Sequence, residues 1–378
     1  MTLVLSPKAC CSTTSVGNNV EQQAFRTKRY LFFLYLPWFI FGLCLIGVCA
    51  GCKSQNQIHE RVTFDGSTMG TSYHIVVTAE FGAKTNTQLK KIVEHRLKEI
   101  SQHLSTYIID SEISRLNQAE AGAWFHVSPD LYRVINAADS VSRMTDGAFD
   151  ITIGPVVELW GFGNTKKVSQ KEPPTEEQVL VIKKHVGYQK LEIQEKPPAI
   201  KKLDSDLKID VSAIAKGYGV DEIVLLLKSM TGLHGAMVEI GGEVRVFGDR
   251  YDGSEWTVGI QSPVRNRGGL AAKVHLQNKS IASSGDYVHF FKHEGRRFSH
   301  IINPEIGVPV ETDVVATAVI DASCMVADAW ATAFMVSDVQ ESLEIADREA
   351  LGLMIIRRET TDVLEVISNS TFKKYLVE

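Results

Sequence analysis

The chain has 378 residues, 44% of them hydrophobic and 22% charged, with a formal net charge of −5 at pH 7. That length can bury a large core in one or two domains. No basic stripe or aromatic-interleaved basic patch stands out, so nucleic acid is not an expected partner.

The first segment sets the compartment. Residues 1–29 carry Lys8, Arg26, Lys28 and Arg29 against the single acid Glu21, and Tyr30 to Gly51 is free of charge. A basic stretch followed by an apolar run is the layout of a secretory leader. The ending Val48-Cys-Ala-Gly-Cys52 resembles a bacterial lipobox, in which small residues precede a cysteine that is lipidated and becomes the new N-terminus. Cys49 stands where leucine is usual, and the apolar run is long enough to span a bilayer, which keeps an uncleaved anchor open. The expected organisation is a leader over 1–51, a tether over 52–62 and a folded domain over 63–378, with lipid on Cys52. The expected location is a bacterial cell envelope, with lipid anchorage to the inner membrane on its periplasmic side. Without the leader's four bases and one acid, the net charge moves from −5 to −8. Cys10, Cys11, Cys44 and Cys49 leave with it; Cys324 then has no partner and reads as a small buried hydrophobe.

Through the domain, Ser72–Thr78 alternates as a strand and Asn86–His103 repeats as an amphipathic helix. Ser128–Thr145 reads as a helix with Ser128-Pro129 at its start and Gly147 past its end. Helix is predicted from Thr175 to about His185, short strands near 189–210, and helix over Ser212–Met230. Gly235–Val319 is strand-rich, with alternation in Glu243–Phe247, Thr257–Gln261 and Ala272–Leu276. A helix over 322–336, another from Val339, strands at Leu353–Arg357 and Val363–Ile367, and a short terminal helix complete the chain. Helices and hairpins partly segregate, which predicts an α+β fold of mixed helices and mostly antiparallel sheets.

The helix over 322–336 is apolar or small on nearly every face, except that Asp328 and Thr332 stand one turn apart. A lone acid is costly to bury unless it is paired or metal-bound. Hard oxygens with vacant coordination suit Mg²⁺. The alternative is a buried Asp328 that caps a loop while Thr332 bonds back to its own turn.

Neither G-x-G-x-x-G after a strand, nor G-x-x-x-x-G-K-[ST], nor H-E-x-x-H occurs. Four other clusters stand out. Thr68-Met-Gly-Thr71 forms a tight polar turn, and Gly147-Ala-Phe-Asp-Ile-Thr-Ile-Gly-Pro155 follows a helix end. Asp210-Val-Ser-Ala-Ile-Ala-Lys-Gly-Tyr-Gly219 leads a strand into a helix whose N-terminus could receive an anion. Ser299-His-Ile-Ile-Asn-Pro304 sets a histidine in a strand that ends in Asn-Pro. Taken singly, these read equally as a turn, a helix stop, a solvated base and a core histidine.

Taken with Leu104-Ser-Thr-Tyr107 and Ala327-Asp-Ala-Trp-Ala-Thr332, the six motifs resemble in kind and order those of the ApbE flavin transferases. The resemblance runs from about Phe64 to Met335 and implies a T-fold-related flavin transferase architecture. It implies that Met69, Tyr107, Ala148, Phe149, Asp150, Asp210, Lys216 and Ile302 line a site for FAD. Asp328 and Thr332 would supply side-chain oxygens to Mg²⁺, with a backbone carbonyl near Ala213, and His300 would activate the acceptor. Ser212-Ala213 replaces a frequent Gly-Gly of the family and Asn303 a frequent Asp; neither change removes a charged ligand.

The implied reaction moves FMN from FAD to a threonine or serine hydroxyl of an acceptor protein, forming a phosphodiester and releasing AMP. The acceptors the resemblance implies are flavoprotein subunits of sodium- or proton-linked respiratory complexes. Such transfer depends on in-line positioning and charge neutralisation. Hydrolysis of FAD to FMN and AMP at the same site, or flavin binding without catalysis, remain the alternatives.

Overall fold

The computed structural model describes residues 59–377, except 81, 83, 164–171, 264–268, 288 and 360–362. The predicted leader and Cys52 lie outside the described residues, and no described helix is long and apolar enough to cross a membrane.

Strands β1 (His59–Thr68) and β2 (Thr71–Glu80) form a hairpin whose two-residue turn is Met69-Gly70. Both turn residues have positive φ, 48° and 75°, the twist that a tight hairpin demands. β1 begins four residues before the predicted domain start, because His59 already pairs with Glu80 across the hairpin.

The hairpin edges an eight-stranded sheet in the order β1-β2-β6-β7-β10-β15-β16-β17, with every neighbouring pair antiparallel. Its other members are β6 (Leu233–Ile240), β7 (Glu243–Gly248), β10 (Ser280–Gly285), β15 (Val314–Asp321), β16 (Gly352–Arg358) and β17 (Leu364–Ser368). β2 shows why both faces are covered: Ile75 and Val77 enter one core and Val76, between them, enters another. Successive strand residues face opposite sides, so an unbroken apolar run signals a sheet buried on both faces.

On one face lie α1 (Asn86–Leu104), α6 (Ala215–Lys228) and α7 (Cys324–Ala333). The other face packs on the hairpin of β8 (Trp256–Gln261) and β9 (Leu270–Leu276) and on Phe372 of the terminal helix α9 (Ser370–Lys373). Beyond the helical layer, α2 (Glu112–Gln118) and α3 (Pro129–Met144) join a three-stranded sheet of β3 (Trp124–His126), β5 (Ala199–Lys202) and β4 (Leu191–Gln194). A smaller core gathers Val156 and Trp160 from around α4 (Gly154–Leu159), Val179 of α5 (Glu176–Lys183) and Phe298 of the hairpin β11 (Phe290–His293)–β12 (Arg296–Ser299). The remaining elements are the short pair β13 (Ile302–Asn303)–β14 (Val308–Pro309) and helix α8 (Val339–Arg348).

The predicted α+β class with mostly antiparallel sheets is what forms. Three local expectations change. α6 begins three residues later than predicted, since Ile214 at φ −146° is not helical. His300 is not within a strand but in the bend between β12 and β13. α2 and α4 were unforeseen because six or seven residues are too few to show a helical period.

Candidate active site

The ends of these elements meet around a cavity of about 890 Å³. Every predicted site residue of the domain lines it, from Met69 to Thr332, so all six motifs converge on one place.

Its floor is made by two helices held in unusually close contact. A Cβ built on Gly217 of α6 would come 2.3 Å from the carbonyl oxygen of Cys324 at the start of α7. Only glycine allows that approach. It lets the Gly217 N–H, a first-turn donor with no partner inside α6, donate to Asp328 Oδ2 at 3.0 Å. Ala213, just ahead of the helix, lines the cavity wall. Ile214 gives α6 no side-chain cap; its own N–H and that of Ala215 donate to the Val211 carbonyl and that of Gly217 to Asp328, so what α6 offers an anion is the positive end of its dipole.

Asp328 is 3% exposed. Its other oxygen, Oδ1, lies 3.5 Å from Lys216 Nζ, and the same ammonium lies 3.1 Å from Glu243 Oε1. Burial opposes the Lys216 charge, but Asp328 and Glu243 outweigh it and raise its pKa. Burial pushes the Glu243 carboxyl up to about 8; Lys216 opposes the rise and Asp328 adds to it. Thr332, half-buried one turn beyond Asp328, lines the same cavity. One carboxylate oxygen, one hydroxyl and a backbone carbonyl at Ala213 make up a hard-oxygen donor set, which fits Mg²⁺.

His300 Nδ1 is 3.0 Å from the carbonyl oxygen of His289, and its backbone N–H donates to the same oxygen. A carbonyl only accepts, so Nδ1 carries the proton and Nε2 keeps its lone pair. Burial lowers the His300 pKa to about 4, against the hydrogen bond to the His289 carbonyl, which raises it. The ring is therefore neutral at pH 7. It packs edge-on to His289 and Phe162, at 5.3 and 6.4 Å between centroids.

The remaining predicted residues hold different parts of the cavity. Met69 reaches it from the hairpin turn, and Tyr107 stands 62% exposed at its edge. Phe149 is buried in the main core and contributes one apolar wall. The Asp150 carboxylate is already committed: Oδ1 accepts from Thr152 N–H and Oγ1, both at 2.7 Å, and Oδ2 accepts from Tyr188 N–H at 2.8 Å. It braces the loop rather than presenting a free charge. Asp210 closes its own turn by accepting from Ser212 N–H at 2.8 Å.

Glu243 escaped the sequence reading. The available signal was weak: an acid opening an apolar alternation directly after Gly241-Gly242. The structure also brings His185, Asp204 and Asp206 close enough to hold a metal ion, but away from this cavity. Asp204 there is already paired with His185 at 3.0 Å and Lys190 at 3.4 Å.

The profile of the ApbE family matches residues 69–356. An FAD:protein FMN transferase of Vibrio cholerae is 35% identical over 90% of this chain and 98% of its own length. A protein of the same name in Escherichia coli is 32% identical over 86% and 94%. Among solved structures, the flavin transferase ApbE of Vibrio cholerae superposes with a TM-score of 0.77 at 35% identity, over 84% of this chain and all of that one. The ApbE protein of Thermotoga maritima gives 0.76 at 27% identity over the same shares. With its six motifs gathered at one cavity and matches of this extent, the chain belongs to the ApbE family.

Proposed function

We propose that the protein transfers FMN from FAD to a threonine or serine hydroxyl of an acceptor protein, with Mg²⁺ bound and AMP released. The observation that carries this reading is the convergence of all six motifs on one cavity that has apolar walls and a charged floor. A site for a flat cofactor needs that division: apolar surface for the ring and a few convergent polar groups for the phosphates. Met69, Phe149 and Ile302 supply apolar wall. Lys216 and the positive dipole end of α6 suit the pyrophosphate.

Asp328, Thr332 and the Ala213 carbonyl would hold Mg²⁺, which neutralises phosphate charge when bound. His300 Nε2, neutral and unprotonated, accepts the proton of the attacking hydroxyl. A threonine hydroxyl is a poor nucleophile without such a base. Lys216, fixed between two carboxylates, keeps its charge for the oxygens of the pyrophosphate.

The acceptors that fit are flavoprotein subunits of respiratory membrane complexes. The leader and Cys52 support lipid anchorage on the periplasmic side of the inner membrane, where such acceptors face. Intact mass of the mature protein tests this: acyl chains on an N-terminal Cys52 are expected, and an uncleaved chain that keeps Tyr30–Gly51 overturns it.

The activity is tested by incubating a threonine-bearing acceptor peptide with enzyme, FAD and Mg²⁺. The peptide should gain FMN in equal amount to the AMP released. Free FMN with an unmodified peptide would mark a hydrolase instead. His300→Ala should leave FAD binding near normal and slow transfer about 10²–10⁴-fold, the usual cost of losing a general base.

A further inference from the structure

Glu243 has no role in the reading above, yet its surroundings call for one. It opens β7 immediately after the Gly241-Gly242 turn, and its backbone is fixed by pairing with Ile240. Its side chain is 3% exposed and lines the cavity with Asp328 and Lys216. Oε1 accepts from Lys216 at 3.1 Å, whereas Oε2 is buried and has no hydrogen-bond partner among the described residues. Leaving such a group unpaired costs about 1–3 kcal/mol or more, so the oxygen calls for a partner from outside the chain.

The charge count says what kind of partner. Two carboxylates face one ammonium, at 3.1 and 3.5 Å. Asp328 has one oxygen engaged by Gly217 and the other approached by Lys216. Any cation that takes Asp328 Oδ1 must compete with that ammonium. Glu243 lies closer to the ammonium than Asp328 does and draws it aside. A cation bound there would satisfy the orphaned oxygen and take the place of the proton that burial favours on Glu243.

We propose that Glu243 is the second carboxylate of the divalent-cation site: Oε1 holds the Lys216 ammonium off Asp328, and Oε2 supplies negative charge facing the ion. This inference rests on the assignment of Asp328 and Thr332 to Mg²⁺.

The test uses Mn²⁺ as the probe, titrated by electron paramagnetic resonance onto the full chain without FAD or acceptor. Glu243→Gln keeps the shape and an acceptor for Lys216 but removes the acid. It should weaken Mn²⁺ binding about 10–100-fold, as loss of supporting groups around a metal does. The rise in melting temperature produced by Mn²⁺ should shrink to match, with melting in a chelator little changed. Asp328→Ala is the control. Unchanged affinity in Glu243→Gln, with binding lost in Asp328→Ala, overturns this inference and spares the metal assignment. Unchanged affinity in both variants overturns the metal assignment as well. Should Glu243→Gln fail to fold, Lys216→Met carries the test: removing the competing ammonium should tighten Mn²⁺ binding several-fold. Equal or weaker binding in that variant overturns the role given to Oε1.

Discussion

Helix α6 carries two clusters of buried charge, and they are built on opposite terms. Tyr218 and Glu222 belong to one, around Asp130 of α3; Lys216 belongs to the other, between Asp328 and Glu243. In the first, Arg96 meets both oxygens of Asp130 at 2.8 Å, Tyr218 adds a bond of 2.6 Å and His103 one of 2.9 Å. Burial works against the Asp130 charge, but these donors hold its pKa well below the usual carboxylate range. In the second, Glu243 rises to about 8 and an oxygen is left over. Donors that match the acceptors make a brace. Donors that fall short leave room for a ligand, and perturbed carboxyls of that second kind gather at working sites.

This contrast can be broken most forcibly at Asp130. Asp130→Ala takes a shared acceptor from Arg96, Tyr218 and His103, leaving Arg96 to Glu222 and Glu99, and should cost about 3–5 kcal/mol in chemical denaturation, with FAD affinity of the folded fraction unchanged. A cost below about 1 kcal/mol would erase the distinction, since that is the scale of an exposed pair. Next comes Asp328→Asn, which keeps an acceptor for Gly217 N–H while removing the charge. Transfer should fall at least about 100-fold, and the melting temperature should hold or rise because crowding of acids is relieved. A matching loss of stability would instead make Asp328 a brace like Asp130.

The pH profile gives a smaller but sharper test. His300 must be neutral to take a proton, and its pKa of about 4 keeps it so through the neutral range. Single-turnover transfer should therefore stay level as pH falls from 8 towards 5 and decline only near 4. A decline centred near 6.5 would mean that the ring is solvated rather than buried. The stability of the Asp130 cluster runs with the same sign: a depressed carboxyl stabilises above the ordinary carboxylate range and loses that contribution as pH falls through its folded value. The melting gap between wild type and Asp130→Asn should accordingly close in strong acid. The least effect is expected from Thr332→Val, a loss of transfer below about tenfold, because water can replace a neutral oxygen ligand.

What could be read from the residues alone follows from how locally each feature is determined. The helices from Asn86 and Glu176 announce themselves through capping boxes at Thr85 and Thr175, and Ser128 caps α3. Asp328 was conspicuous because one acid in an apolar helix has few explanations. Glu243 was not, since an acid after a glycine turn is ordinary until the fold brings Lys216, 27 residues earlier, against it. Asp150 shows the reverse: its motif marks the cavity correctly, but only the structure reveals that both oxygens are used by Thr152 and Tyr188. His300 was found by type and misplaced in setting, because a bend that bonds back to His289 leaves no trace in a six-residue motif.

The close crossing at Gly217 has a consequence for how this enzyme could be altered. Lys216 and Asp328 sit on two rods joined by a contact that tolerates no added atom, so the charged floor behaves as a fixed jig. Redesign for a new acceptor should leave that jig alone and work at the mouth, around exposed Tyr107, where a changed side chain alters what may enter without disturbing what happens inside.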